Sequence, residues 1–193
     1  METKQNSFYA KNRKAWRTWL SKNHAKQTEV WLVIQNKNSS IPSVRVEEAV
    51  EEALCFGWID PTANKRDAES RYLRFVPRKP KSNWSTINRH RVEKLAAAGL
   101  IMPAGQAMID LAKSTGTWMA LADAQQLIIP DDLQQAFAKN KKARSNFELF
   151  SNSSKRFILE WIANAKRPET RIKRIKETVA SAAKNIKANH PQS

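Results

Sequence analysis

The chain has 193 residues, 41% of them apolar, which fills a normal core in one good-sized domain or two small ones. Thirty-four Lys and Arg against eighteen Asp and Glu leave a formal charge of +16, so the field around the protein favours phosphate-rich polymers, anionic lipid or acidic ligands. A single cysteine, Cys55, excludes an intramolecular disulfide and any multi-cysteine metal site, which fits a reducing compartment.

Ser7 to Asn23 predicts a first helix, with Phe8, Ala15, Trp16, Trp19 and Leu20 near one stripe and Lys11, Lys14, Arg17 and Lys22 beside it. Thr28 to Gln35, TEVWLVIQ, predicts a strand covered on both sides: Val30, Leu32 and Ile34 take one face, Trp31 and Val33 the other. A polar turn follows at Asn36 to Ser40. Ser43 is the expected cap of a helix running to about Phe56, because Val46, Ala49, Val50, Ala53 and Leu54 recur at helical spacing and Gly57 supplies a left-handed stop. Glu47, Glu48, Glu51 and Glu52 are assigned to its outer, solvated side.

Trp58 to Asp60 and Arg71 to Val76 are expected to pair as strands around the charged connection from Pro61 to Ser70. In the second strand Leu73 and Phe75 point one way and Tyr72, Arg74 and Val76 the other, so one face mixes an aromatic with a cation. Helices follow from Trp84 or Ser85 to Ala98, ended by Gly99, and from Pro103 to about Ser114, ended near Gly116. From Asp131 onward the pattern is wholly helical. It has a start at Asp131 and Asp132, a short helix through Phe147 and Phe150, a third capped by Ser153, and a last one from Pro168 with Ile172, Ile175 and Val179 as its buried stripe. Ala188 to Ser193 reads as a frayed tail. Pro130 and the polar stretch before it place a seam at Leu127 to Pro130. The expected architecture is therefore α+β over residues 1–126, a small antiparallel sheet with packed helices, followed by a C-terminal helical bundle over 127–193.

Catalytic patterns are missing. His24, His90 and His190 are scattered without ligand spacing, so no metal is expected. Leu54-Cys55-Phe56 is an apolar run in which the thiol packs as a small hydrophobe. No G-x-S-x-G elbow occurs, and four glycines in the whole chain leave no Gly-rich loop for a nucleotide, so no cofactor and no catalytic residue are assigned. Asp60, beside Trp58 at a strand end, is the most interesting carboxylate. One carboxylate is not an acid/base pair, and a salt bridge to a nearby arginine is its default role. Met1 to Phe8 lack the apolar core of a secretory signal, and no stretch approaches the roughly 20 apolar residues of a bilayer span, so the expected address is the cytoplasm.

The stretch VPRKPKSNWS, Val76 to Ser85, carries the main binding expectation. Arg78, Lys79 and Lys81 precede a helix start with unpaired N–H groups and a positive dipole end, and Ser82, Asn83 and Ser85 are capping residues that also donate to phosphate. Trp84 either packs in the core or stacks on a base. Arg74 adds a cation from the preceding strand, and between Arg71 and Lys94 eight basic residues face one acid, Glu93. A second basic cluster lies in AKRPETRIKRIKE, where Arg171 and Arg174 share one helix flank and Lys173 takes the other. The leading expectation is a basic anion-binding protein whose partner is nucleic acid or a phosphorylated small molecule. One alternative is an enzyme acting on a small anionic substrate near Asp60, Trp58 and Arg78. Another is a stress-related protein that binds a protein or an anionic membrane surface.

EEALCFGWID, followed by RYLRFVPRKPKSNWSTINRHRVEKLAAAGLIMPAGQAMI, resembles the YdeI/OmpD-associated family, also labelled OmdA or bacteriocin-protection proteins. FILEWIANAKRPETRIKRI resembles its helical C-terminal region. The resemblance covers roughly Phe8 to Ala183. It implies envelope association, antimicrobial resistance or a periplasmic address, and it supplies no catalytic residue.

Overall fold

The computed structural model describes residues 4–189. By backbone contacts the chain falls into two units, one of residues up to Ser82 with Ile87–Gly116, the other of Asn83–Thr86 with residues from Thr117 onward. The contact boundary thus falls ahead of the Leu127 to Pro130 seam.

The first unit is built on strands β1 (Ser7–Tyr9), β2 (Val30–Gln35), β3 (Trp58–Lys65) and β4 (Ser70–Pro77), in the spatial order β1-β2-β4-β3. β2 pairs antiparallel with β4, Ile34 opposite Arg71 and Leu32 opposite Leu73. β3 and β4 form a longer hairpin than the sequence pattern suggests, paired as far as Lys65 opposite Arg71. The connection shrinks to four residues because Asp67 organises it, accepting the Glu69 N–H at 2.8 Å and the Ser70 hydroxyl at 2.8 Å. The register slips between Ile59 and Thr62, where Asp60-Pro61 falls. Proline has no N–H for the ladder, so an irregularity there lets the strand continue past a residue that reads as its end.

The sheet is mixed, not purely antiparallel, because β1 runs parallel to β2 with Ser7 opposite Trp31 and Tyr9 opposite Val33. Helix α1 (Arg13–Asn23) therefore starts later than Ser7. Asn12 caps it, its side chain accepting the Ala15 N–H at 2.9 Å. Phe8 joins the aromatic stripe from the strand instead of the helix, with its ring centroid 6.2 Å from Trp16 and 5.6 Å from Trp19. Trp16 in turn lies 5.2 Å from Phe75 and donates to the Ala49 carbonyl at 3.0 Å, so α1 covers the Phe75 face of the sheet.

Helix α2 (Val46–Cys55) starts after Arg45, not at Ser43. The Ser43 hydroxyl is spent on the loop, accepting the Gln35 N–H at 3.2 Å and donating to the Val44 carbonyl at 3.0 Å. Glu52 is not solvated: it is 2% exposed and accepts from Arg13 Nε at 2.6 Å and Arg17 Nη1 at 2.6 Å, while Arg13 Nη1 also reaches Glu51 at 2.8 Å. Glu52 follows Ala49 by three residues and so shares the face turned toward α1. Gly57 stops α2 at φ +75°. Helices α3 (Thr86–Ala97) and α4 (Pro103–Ser114) follow. α4 crosses the end of α2 so closely that a Cβ on Gly105 would lie 2.2 Å from the Cys55 carbonyl oxygen.

The second unit contains α5 (Ala122–Gln125), α6 (Asp131–Ala138), α7 (Lys141–Leu149), α8 (Asn152–Ala163) and α9 (Pro168–Ala183). Leu133, Phe137, Phe147, Ile158, Ile162 and Ile175 form its core. Asn140 caps α7 through the Ala143 N–H at 3.0 Å. Ser151, not Ser153, caps α8 through the Ser154 N–H at 3.3 Å. On α9 the buried line runs Ile175, Thr178, Ala182 with Val179 half-buried, and Ile172 is 54% exposed. Ala188 is buried, so the tail is packed at least that far, while His190 to Ser193 lie outside the described residues.

Candidate functional site

Leaving β4, the chain turns inward before it turns out. The Arg78 N–H donates to the Gly57 carbonyl at 2.8 Å, and its side chain is only 6% exposed. Burial lowers that guanidinium to about 10, which leaves it cationic at neutral pH. Lys79 and Lys81 are exposed on the turn that the Ser82 N–H closes on the Lys79 carbonyl at 3.0 Å. Arg78, Lys79, Lys81 and Ser82 belong to the first unit; Asn83, Trp84 and Ser85 belong to the second. There Asn83 donates to Asn164 Oδ1 at 3.0 Å, and Trp84 is buried against Trp118, ring centroids 5.1 Å apart. Trp84 is thus a core residue.

Arg74 is engaged within the first unit. Its Nε donates to Glu29 Oε2 at 2.9 Å and its guanidinium lies 5.9 Å from the Trp31 ring centroid, on the sheet face that also carries Tyr72 under Arg66. The expected mixture of aromatic and cation on one face is present, and Arg74 already has its counter-charge.

Trp58 is buried, donates to the His24 carbonyl at 3.2 Å and meets Trp19 edge-on at 6.1 Å. Asp60 sits half-buried beside the register slip. Burial pushes its carboxyl above the usual range, and the charge of Arg91 opposes that rise.

In the second basic cluster, Arg171 reaches from α9 to Asp132 at the start of α6, Nε to Oδ2 at 2.6 Å and Nη2 to Oδ1 at 3.0 Å. Those hydrogen bonds hold the Asp132 carboxyl below its usual range. Arg174 donates to the Trp161 carbonyl and lies 5.1 Å from the Trp161 ring centroid. Lys173 points to water.

A group that sequence reading did not assemble lies at the other end of β4. A cavity of about 540 Å³ opens between the loop after β2, the start of α2 and Arg71, with Lys37, Arg45 and Arg71 in its wall. All three are exposed, and none forms an ion pair among the described residues. These residues are 34 positions apart at the extremes, and only the β2–β4 register brings them together, so no local motif marks them.

Among the described residues, no group of three or more His, Cys, Asp or Glu could hold a metal ion, and no helix is long and apolar enough to cross a membrane. The architecture is that of a two-unit basic protein, an α+β unit and a helical unit each carrying surplus cations. Residues 8–108 match a family described as a domain of unknown function (DUF8412), and residues 126–185 match the family described as Bacteriocin-protection, YdeI or OmpD-Associated. The chain belongs to the first family, whose model covers more than half of it, and its helical portion carries an OmdA (YdeI/OmpD-associated) domain match over residues 126–185. Of the resemblance read over Phe8 to Ala183, the YdeI/OmpD-associated match covers residues 126–185, while the N-terminal motifs fall in the domain of unknown function. No curated protein and no solved structure matches it.

Proposed function

We propose that the protein is a cytoplasmic anion-binding module whose partner is nucleic acid or another phosphate-rich ligand. The supporting observation is the surplus of fixed charge in each unit. By sequence the first holds twenty Lys and Arg against eleven Asp and Glu, and the second fourteen against seven. The arginines in ion pairs include Arg13, Arg17, Arg66, Arg74, Arg144 and Arg171, whereas Lys79, Lys81 and Lys173 stand at the surface. Buried Arg78 anchors the segment that presents Lys79 and Lys81. Lysines of this kind are compact, hydrated point charges, suited to tracking a phosphate backbone without reading its sequence.

Binding of the full chain to a fluorescent duplex, measured across a salt series, tests this. Affinity should fall by about 0.9 log unit per tenfold salt for each phosphate neutralised. No binding at low salt, or a flat salt profile, rejects the reading. The bacteriocin-protection description of the family matched by residues 126–185 supports a stress-related setting for such binding. Sedimentation with anionic lipid vesicles but no binding to the duplex would transfer the proposal to a membrane surface.

A further inference from the structure

The cavity beside Arg71 is framed by an anchored loop. The Tyr9 hydroxyl donates to the Pro42 carbonyl, the Val44 N–H to Ala10 O at 3.0 Å, the Gln35 N–H to Ser43 Oγ at 3.2 Å and the Ser39 N–H to Asn36 O at 3.0 Å. A wall held in this way need not be ordered when a ligand arrives, which removes one cost of binding. Buried Ile34 and Val44 contribute an apolar floor, and exposed Ile41 stands at the rim.

Directly opposed residues of antiparallel strands share a face, so Phe75, Leu73 and Arg71 line up with Val30, Leu32 and Ile34. That is the face α1 covers at its Phe75 end. At Arg71 the apolar row gives way to a cation. Lys37 and Arg45 join it against a single carboxylate in the wall, Glu47. The volume, about 540 Å³, falls within the several hundred cubic ångströms usual for small-molecule sites, which combine an apolar lining with a few placed polar groups.

We propose that this cavity binds a small organic anion, with an oxyanion head met by Arg71 and Arg45 and a compact apolar body lying on Ile34 and Val44. The head is a carboxylate or a phosphate monoester. The site is distinct from the polymer-binding surface proposed above. Lys79 and Lys81 follow the far end of β4, and six residues of strand at roughly 3.3 Å each set Arg71 about 20 Å from Pro77.

The test is an amide-shift titration of the isotope-labelled full chain with benzoate, phenyl phosphate and neutral benzyl alcohol, each into the millimolar range. Either anion is expected to give saturable shifts at residues 34–47 and around Arg71, with none from the alcohol. Arg71→Gln should weaken binding about tenfold or more, because a charge-assisted contact is lost. Arg45→Gln, at an exposed position, repeats the test should Arg71→Gln fail to fold. A response to one anion alone supports the proposal and names the head. No saturable response to either anion, an equal response to the alcohol, or an unchanged affinity in a folded arginine variant overturns it, whatever the outcome with duplex DNA.

Discussion

Glu52 shows how far a residue's neighbours can override its type. A carboxylate this buried is tolerated because two guanidinium groups meet it, and each of those groups depends on it in return. Glu52→Gln keeps the shape and removes the charge, leaving Arg17 without its carboxylate and Arg13 with Glu51 alone; a loss of about 3 kcal/mol is expected, read as a lower denaturant midpoint at unchanged m-value. Asp60 works the other way. Its folded carboxyl lies above its unfolded one, so between the two the native state binds more protons and stability falls as pH rises through that window. Asp60→Asn is therefore expected to melt above the parent at pH 7, with the gap closing toward about pH 4, the unfolded carboxyl range; a gap that stays constant with pH would show that desolvation of this carboxylate is not its cause. Neither environment was legible in the sequence. Glu52 meets residues 35 and 39 positions away, and Arg74 finds Glu29 at a separation of 45, so which charges are spent inside and which face water is decided by tertiary packing.

Elements were legible where local chemistry punctuates them. Pro103 and Pro168 open α4 and α9, and Gly57 and Gly99 close helices in the left-handed conformation that glycine adopts freely. β1 was not, because a three-residue strand is defined by its partner β2, and the same aromatic spacing reads equally well as a helix stripe. Two neighbouring serines at α8 illustrate the limit of composition, since both are good caps and only the backbone selects one. Ser151→Ala should cost about 1 kcal/mol and Ser153→Ala within about 0.5, measured by chemical unfolding; equal losses would deny Ser151 its role. Where α4 crosses α2, Gly105→Ala places a methyl 2.2 Å from a backbone oxygen, which no side-chain rotation relieves. Destabilisation of more than about 2 kcal/mol is expected there, and a near-neutral Gly105→Ala would mean that the helices separate readily.

For the whole molecule, net charge was legible and its placement was not. The count of +16 treats every cation alike, but a guanidinium already neutralised by a carboxylate displaces few condensed counterions from a polymer partner and adds little to a salt slope. Arg74 and Arg171, both counted among the candidate contacts from sequence, are of that spent kind, whereas Lys79, Lys81 and Lys173 are not. The two groups make opposite predictions in one assay. Lys79→Gln with Lys81→Gln should lower the slope of log affinity against log salt by about two units and Lys173→Gln by about one, if each lysine meets one phosphate. Arg74→Gln and Arg171→Gln should leave the slope alone, provided thermal unfolding shows the variants folded. A slope that drops with Arg74→Gln but not with the lysine pair would place the polymer on the Trp31 and Tyr72 face of the sheet, with Glu29 displaced, and would remove the exposed lysines from the binding surface.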